Sequence, residues 1–110
     1  MSSVRWGPEP KRPTYDDVPL DLSGADLHGA QLPGARIWFS VLGKVDLTDA
    51  ELSRCTADCS DLSESLLARC KLVGATLVDV SLRKADLSKA DLTGANLAGS
   101  NLEGASLRED

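Results

Sequence analysis

The chain repeats every five residues, without one insertion, from Leu22 to Leu107. Of the eighteen residues in this column, sixteen are Leu, and the other two are Ile37 and Ala57. An α-helix repeats every 3.6 residues and a β-strand every 2.0, so neither keeps every fifth side chain on one face. The period therefore predicts a chain that turns a corner once per repeat and stacks its turns as a solenoid around a core of Leu.

A second column, two residues before each Leu, carries only small or apolar residues, of which Ser40, Ser60, Ser65 and Ser100 are the polar members. The interior is thus predicted to be a column of Leu beside a column of Ala-sized side chains. Ala57 interrupts the first column with a side chain much smaller than that of Leu. We expect a small void or a side chain from elsewhere at this point, and we favour an underpacked coil over a ligand pocket.

Several repeats share one residue pattern, seen in Ala85-Asp86-Leu87-Ser88-Lys89, Ala90-Asp91-Leu92-Thr93-Gly94 and Ala95-Asn96-Leu97-Ala98-Gly99. They closely resemble the A-(D/N)-L-x-x unit of pentapeptide repeat proteins, and the resemblance covers about nine-tenths of the chain. It implies an all-β fold, a right-handed quadrilateral β-helix with four repeats per coil. Residues 20–110 would then form about 4.5 coils, stacked at the strand spacing of about 4.8 Å. With twenty residues per coil, Ala57 would lie between Ile37 and Leu77.

Residues 1–19, the amino-terminal arm, break the pattern. The arm contains Pro8, Pro10, Pro13 and Pro19, which cannot donate ladder hydrogen bonds, and it adds the aromatic Trp6 and Tyr15. A solenoid needs covered ends, so one interpretation is that the arm covers the first coil. The other is that it docks a partner. At the carboxyl-terminal end, two interpretations are open: charged residues protect the last half-coil from association, or a second copy of the protein covers it. The resemblance implies end-to-end dimers in some members of the family.

Composition narrows the class of protein further. The 110 residues carry a net charge of −5, and 42% of them are hydrophobic but only 4% aromatic. No apolar run of 18 residues exists, so we expect no membrane span, and the first residues lack the apolar stretch of a secretion signal. Two of the three cysteines, Cys55 and Cys70, fall in the inner column as core residues. A reducing cytoplasm is therefore the expected location.

Residues for catalysis, cofactor binding or metal binding are not apparent, and we predict a protein that is not an enzyme. His28 is the only histidine and has no Ser or Cys partner placed beside it. The glycines recur at one repeat position, which is typical of corners and not of a phosphate-binding loop. In the Cys55-x-x-x-Cys59 segment one side chain would point inward and the other outward, which does not suit a metal site.

The most suggestive outward residues are apolar. Trp38, Phe39 and Val41 point outward in the predicted register, Val78 shares the face of Trp38 two coils along, and Val73 lies on the preceding face. With the nearby Arg36, these residues form the predicted partner surface, because exposed aromatic side chains mark interfaces. Two occupants remain open: another protein, or the amino-terminal arm. The sequence thus predicts a non-catalytic protein-binding or scaffolding solenoid, such as an accessory subunit of a complex.

The resemblance also implies an alternative function, since some pentapeptide repeat proteins mimic DNA and bind type II topoisomerases such as gyrase. Asp26 and Asp46 stack as a local acidic spot. DNA carries one charge per about 1.7 Å, however, far more than this chain offers over its length. Residues twenty apart also pair opposite charges more often than like ones, at Lys44–Glu64, Glu64–Lys84, Glu51–Lys71, Lys71–Asp91, Asp49–Arg69, Lys89–Glu109 and Arg83–Glu103. A self-neutralised surface argues against the mimic, and we expect no direct binding of nucleic acid.

Overall fold

The computed structural model describes residues 21–108. The predicted amino-terminal arm, residues 1–19, lies outside the described residues, and so does Glu109 of the predicted Lys89–Glu109 pair. Within residues 21–108 there is no helix, and the regular structure consists of single-residue parallel β-bridges. The all-β fold implied by the family resemblance is therefore present.

Each bridge joins a residue to the one twenty positions later, as in Asp21 with Val41 and Val41 with Asp61. The bridges form four columns, and we number the corresponding faces 1 to 4 in chain order from the bridges at Asp21, Asp26, Gln31 and Arg36. One coil therefore holds four repeats, so that coils 1 to 4 comprise residues 21–40, 41–60, 61–80 and 81–100. Residues 101–108 begin a fifth coil.

The corners are β-turns with the central Leu as first residue. In the first of them, the amide of Ala25 donates to the carbonyl of Leu22 at 2.9 Å, and Gly24 has a φ of 73°. A positive φ at the third residue of a turn identifies type II, which favours Pro-Gly at its two central positions. Pro33 and Gly34 occupy those positions in the corner that begins at Leu32. The five-residue period thus reflects one bridge and one turn per repeat.

Neighbouring coils are joined by two backbone hydrogen bonds at each bridge. On face 2, the amide of Leu27 donates to the carbonyl of Asp46 at 2.8 Å, and the amide of Asp46 donates to the carbonyl of Ala25 at 2.9 Å. The same pattern recurs on the other faces along residues 21–108. Because every coil bonds only to the coils beside it, stability is a sum of nearest-neighbour terms.

The dry core occupies the middle of the solenoid. Side chains of the two inner columns are buried from Leu42 to Leu87, whereas Leu22, Leu27 and Leu32 in coil 1 and Leu92 and Leu97 in coil 4 are half-buried. Each inner coil is covered by leucines from the coils on both sides. Within residues 21–108 the end coils have a neighbouring coil on one side only, and their leucines are less buried than those of the middle coils. The middle coils therefore contribute the most hydrophobic stabilisation per coil among these residues.

A small void lies beside Ala57, and no other side chain fills it; this is one of the two outcomes expected from the sequence. The void has a volume of about 10 Å³ and is lined by Ile37, Leu77 and leucines of the neighbouring faces, with no polar atom on its surface. That volume is about that of one water-sized sphere, and a water would find no hydrogen-bond partner there. The void is therefore an underpacked place in the core and too small for a ligand.

Candidate functional site: an aromatic corner

The outward apolar residues of the first coil lie at the corner between faces 4 and 1. Trp38 and Phe39 are the two central residues of the turn, and Val41 begins face 1 of coil 2. Phe39 is 55% exposed and Val41 is 39% exposed, whereas Trp38 is partly buried and has an interaction partner. Arg36, which bridges Thr56, is exposed on the same face. We call Trp38, Phe39 and Val41 the aromatic corner.

The two remaining valines of the predicted surface are not continuous with the aromatic corner. Val78 lies on face 4 two coils above Trp38, and Val73 lies on face 3; both are half-buried. Asp58 stands between Trp38 and Val78, and its Oδ1 accepts a hydrogen bond from the amide of Val78 at 3.0 Å. The structure thus brings three apolar residues together and separates the valines of coil 3 from them.

Phe39 adopts a backbone conformation that aromatic residues rarely adopt. Its φ is 55°, and among the ten non-glycine residues with positive φ in residues 21–108 it is the only aromatic one. The left-handed region costs an ordinary L-residue about 1–2 kcal/mol. The corresponding position on the coils above carries Cys59, Asp79 and Gly99, so the turn itself does not need an aromatic side chain. Backbone strain is concentrated at functional sites, so the strained and exposed Phe39 is a candidate functional residue.

The turn that presents Trp38 and Phe39 is closed by a side chain from the next coil. The amide of Ser40 donates to Oγ of Ser60 at 3.0 Å, and this hydroxyl donates to the carbonyl of Ile37 at 2.6 Å. Ser60 thereby takes the place of the direct bond between the first and fourth residues of the turn. We call this arrangement the serine clamp, and it ties the aromatic corner to coil 2.

A second serine clamp lies two coils above on the same corner. The amide of Val80 donates to Oγ of Ser100 at 3.1 Å, and that hydroxyl donates to the carbonyl of Leu77. Sequence reasoning placed both serines in the inner column but did not find the clamps. The one available signal was that Ser40, Ser60 and Ser100 all fall at the corner between faces 4 and 1.

The predicted acidic spot is present as a stacked pair but is not isolated. Asp26 and Asp46 form a bridge on face 2, where the column continues with Leu66, which is 44% exposed, and then Asp86. Hydrogen bonds from the Thr48 hydroxyl and amide lower the pKa of Asp46. The exposed Leu66 separates this pair from Asp86, so the acidic column is not continuous.

Only the arginine-containing members of the predicted charge pairs form close contacts within residues 21–108. Arg69 binds Asp49 through two nitrogens, at 2.7 and 3.1 Å, and Arg83 lies 3.1 Å from Glu103. An unpredicted contact joins Nε2 of His28 to Asp49 at 3.6 Å. The four predicted lysine pairs among the described residues stay farther apart than 4 Å: Lys44–Glu64, Glu64–Lys84, Glu51–Lys71 and Lys71–Asp91.

We predict that stability falls at both ends of the pH range. Hydrogen bonds from Ser88 lower the pKa of Asp86, and those from Ser53 lower the pKa of Glu51. A lowered folded-state pKa contributes stability above the unfolded value near 4, and this is lost as the pH falls. Burial raises the pKa of Cys55 to about 11 and of Cys70 to about 12. Unfolded thiols ionise near pH 8.5, so stability is also lost as the pH rises above about 9.

The measurement is the thermal midpoint by circular dichroism from pH 2 to 11, with a plateau expected between about pH 5 and 8. A Cys70→Ala variant should show a shallower decline above about pH 9, because it lacks one of the two buried thiols. Cys59→Ala is the matched control, since the Cys59 side chain is exposed. Equal alkaline declines in the Cys70→Ala variant and the unsubstituted chain would contradict the role of the buried thiols.

No catalytic or metal-binding constellation is apparent in the part of the chain that the structure describes. Groups of three or more His, Cys, Asp or Glu side chains suited to a metal ion do not occur among residues 21–108. His28 is exposed, and its near neighbour is a carboxylate that also binds Arg69. The same residues include no helix long and apolar enough to cross a lipid bilayer.

Residues 21–108 form a solenoid whose four-sided coils each hold four five-residue repeats. A family model described as "Pentapeptide repeats (8 copies)" matches residues 46–83, 60–97 and 70–109. The chain belongs to the pentapeptide repeat family. The right-handed quadrilateral β-helix predicted from the sequence is thereby confirmed. Proteins of this family are generally non-enzymatic structural or binding proteins.

Several solved structures are similar to this chain. One is a pentapeptide repeat protein from the Arabidopsis thaliana thylakoid lumen, with 30% identity over 86% of this chain and 70% of that chain and a TM-score of 0.41. Another comes from Nostoc Pcc 7120, with 30% identity, 87% and 80% coverage and a TM-score of 0.48. QnrB1, a plasmid-mediated fluoroquinolone resistance protein, is 20% identical over 77% of this chain and 59% of that chain, with a TM-score of 0.38. No curated protein matches the chain.

Proposed function

We propose that this protein is a non-catalytic binding module that engages a partner protein through the aromatic corner. The observation that carries the proposal is the exposed Phe39, held at a φ of 55° where the turn has no need of an aromatic residue. The cytoplasmic location and the end-to-end dimer stay predictions from the sequence. The proposed binding role of the aromatic corner does not depend on either of them.

The chemistry of the corner suits a protein interface. Aromatic residues and Arg are enriched among the residues that dominate binding energy, and Trp38 and Phe39 lie on a turn that follows Arg36 directly. Only 4% of the residues in the chain are aromatic, and two of them, Trp38 and Phe39, are adjacent at this corner. Asp58 lies at the same corner on the coil above Trp38, and its charged side chain provides part of a polar rim of the kind that interfaces have.

The corner is also held rigid before any partner arrives. The serine clamp fixes the turn from Ile37 to Ser40 through Ser60, which belongs to the next coil. The bridge between Arg36 and Thr56 fixes the start of the same face. A preorganised surface loses little conformational entropy on binding, so a small apolar corner can make a larger net contribution to affinity.

The test is the substitution Phe39→Gly. Glycine adopts a positive φ without strain, so the variant should fold with unchanged or slightly higher stability while it loses the exposed ring. If Phe39 is an interface anchor contributing about 2 kcal/mol, partner affinity should fall by roughly 25-fold. The measurement is capture of crosslinked proteins from native lysate, followed by a titration with whichever protein is captured, and thermal unfolding as the fold control.

Leu66→Thr is the matched control for this experiment. Leu66 is also an exposed apolar side chain, but it lies on face 2, away from the aromatic corner. The proposal requires that a partner is captured by the unsubstituted chain and by Leu66→Thr and is lost from Phe39→Gly. Equal capture by all three chains, or loss from Leu66→Thr alone, would place the interface elsewhere.

The alternative of a DNA mimic that binds a type II topoisomerase receives no support from the charge arrangement. Such a surface would concentrate negative charge, whereas Arg69 neutralises Asp49 and Arg83 neutralises Glu103. The acidic column on face 2 is also interrupted by Leu66. A DNA gyrase supercoiling assay separates the two functions, because inhibition or protection at micromolar protein would favour the mimic over the aromatic corner.

A further inference from the structure

We propose that the partner bound by the aromatic corner is a basic protein segment, which places Lys or Arg side chains over the ring of Phe39 and against the aspartates beside it. This proposal names the chemical class of the partner and therefore rests on the proposed function. Three aspartates lie around the aromatic corner, and none of them is neutralised by a basic side chain of residues 21–108.

Aspartates border the aromatic corner along the direction of the solenoid. Val41 forms bridges on face 1 with Asp21 on the coil below and with Asp61 on the coil above. The backbone of each aspartate therefore lies one coil spacing, about 4.8 Å, from that of Val41. Asp58 adds a third carboxylate at the same corner on coil 2, and Arg36 on face 4 is the basic residue beside them. Three negative charges thus outnumber one positive charge around the corner.

The three carboxylates are held in place but keep their charge available. Oδ1 of Asp21 accepts a hydrogen bond from the amide of Ser23 at 3.1 Å, and Oδ1 of Asp61 accepts one from the amide of Ser63 at 2.9 Å. Asp58 is also held through its Oδ1. Within residues 21–108 none of the three lies within 4 Å of a Lys, Arg or His nitrogen, and Oδ2 of each makes no hydrogen bond. Each Oδ2 can therefore accept a hydrogen bond from a partner's cation without any rearrangement.

Face 2 shows that this arrangement is not a general property of the solenoid. Leu66 is also exposed and also lies between aspartates on the coils below and above it. On that face, hydrogen bonds from Ser88 lower the pKa of Asp86, and the positive fields of Arg108 and Arg69 add to this effect. Face 2 therefore has basic side chains close to its upper carboxylate and has no aromatic ring at its exposed apolar residue.

A basic segment suits both the ring and the carboxylates of the corner. A cation over the exposed face of Phe39 is attracted by the negative charge of the ring face. The N–H groups of the same cation can donate to Asp58 or Asp61, and Arg does this best because its planar guanidinium has five donors. Its methylene stem can pack on Val41. An acidic segment or a nucleic acid would instead bring negative charge against unneutralised carboxylates, and this repulsion selects against both.

The test is a titration of the full chain with two synthetic peptides, hexa-arginine and hexaglutamate, followed by the chemical shifts of the backbone amides. Hexa-arginine should shift the amides of Phe39, Val41 and Asp61 selectively, whereas hexaglutamate should leave them unchanged. Phe39→Gly should weaken the binding of hexa-arginine, and Leu66→Thr should not. Binding of hexaglutamate at the corner, or hexa-arginine shifts spread evenly over the four faces, would overturn the inference.

Two double variants with the same change in net charge separate the corner from the overall acidity of the chain. The corner double variant combines Asp58→Asn with Asp61→Asn, and Asn keeps a side-chain oxygen that can accept the same backbone hydrogen bond. The control combines Asp46→Asn with Asp86→Asn, the two aspartates beside Leu66. The corner double variant should bind hexa-arginine about fivefold more weakly, and the control less than about twofold more weakly. Equal losses would mean that net charge alone attracts the peptide, and they would overturn the inference.

The captured partner separates this inference from the proposed function. Its affinity should fall about fivefold in the corner double variant and should also fall as NaCl is raised from about 50 to about 500 mM. A partner that is lost from Phe39→Gly but is insensitive to both of these changes would overturn the basic partner and leave the proposed function standing. Hexa-arginine bound at the corner, in a chain whose captured partner does not need Phe39, would instead overturn the proposed function.

Discussion

Truncation of Leu67 to Ala is expected to lower the free energy of unfolding by about 2–5 kcal/mol. Leu67 is buried on face 2 in coil 3, where leucines cover it from the coils on both sides. It also lines the void beside Ala57, so its removal would enlarge an existing cavity in place of creating a separate one. Collapse of the surrounding core is hindered, because the backbone of each coil is bonded to both neighbouring coils.

The expected loss is large against a typical total stability of about 5–15 kcal/mol. Urea unfolding followed by circular dichroism measures it, provided that a single transition is seen. Leu107→Ala is the matched control, since Leu107 occupies the same column and face but is 52% exposed. Its expected cost is below about 1 kcal/mol. Similar losses in the two variants would mean that the middle coils do not hold the core.

Replacement of Ser60 by Ala is expected to cost about 1–3 kcal/mol. The Ser60 hydroxyl closes the turn between Ile37 and Ser40, and its removal leaves the amide of Ser40 and the carbonyl of Ile37 without their partner. Both groups lie in the inner part of the corner, where water cannot easily replace the hydroxyl. The loss therefore includes the desolvation cost of unsatisfied polar groups as well as the lost hydrogen bonds.

Ser65→Ala is the control for this prediction, and we expect it not to lower the free energy of unfolding. Ser65 occupies the same inner column one repeat later and is fully buried, but its hydroxyl has no hydrogen-bond partner. Alanine removes that unsatisfied group at nearly constant volume, so stability should be unchanged or rise by up to about 1 kcal/mol. Denaturation of both variants checks the pair, and a Ser60→Ala variant as stable as Ser65→Ala would argue against the clamp.

The clamp also links stability to the proposed binding surface. Ser60→Ala loosens the turn that holds Trp38 and Phe39, so partner affinity should fall although no residue of the aromatic corner has changed. Ser65 has no contact of this kind, and Ser65→Ala should leave partner affinity as it is. Binding titrations of the two variants thus test whether the rigidity of the corner matters for recognition.

Most of the fold was predictable because one five-residue period governs it. The inner leucines follow from the spacing, since only a chain that turns at each repeat keeps every fifth side chain inside. The twenty residues per coil, and with them the neighbours of Ala57, were implied by the resemblance to pentapeptide repeat proteins. Outward exposure of Phe39 and Val41 follows from the same register. These features depend on where residues lie along the chain and not on how individual side chains are oriented.

The details of the candidate site depend on side-chain orientation and were not predictable. Ser40, Ser60, Ser65 and Ser100 share one column in the sequence, yet among the turns of residues 21–108 only those facing Ser60 and Ser100 are closed by a serine hydroxyl, because a hydroxyl must meet an amide and a carbonyl at once. The predicted charge pairs share the same spacing of twenty, yet within residues 21–108 the close contacts involve Arg69 and Arg83 and none involves Lys. A planar guanidinium makes directed hydrogen bonds that hold it in place. For an exposed lysine, the small electrostatic gain from an ion pair does not offset the conformational entropy that the side chain loses on forming it.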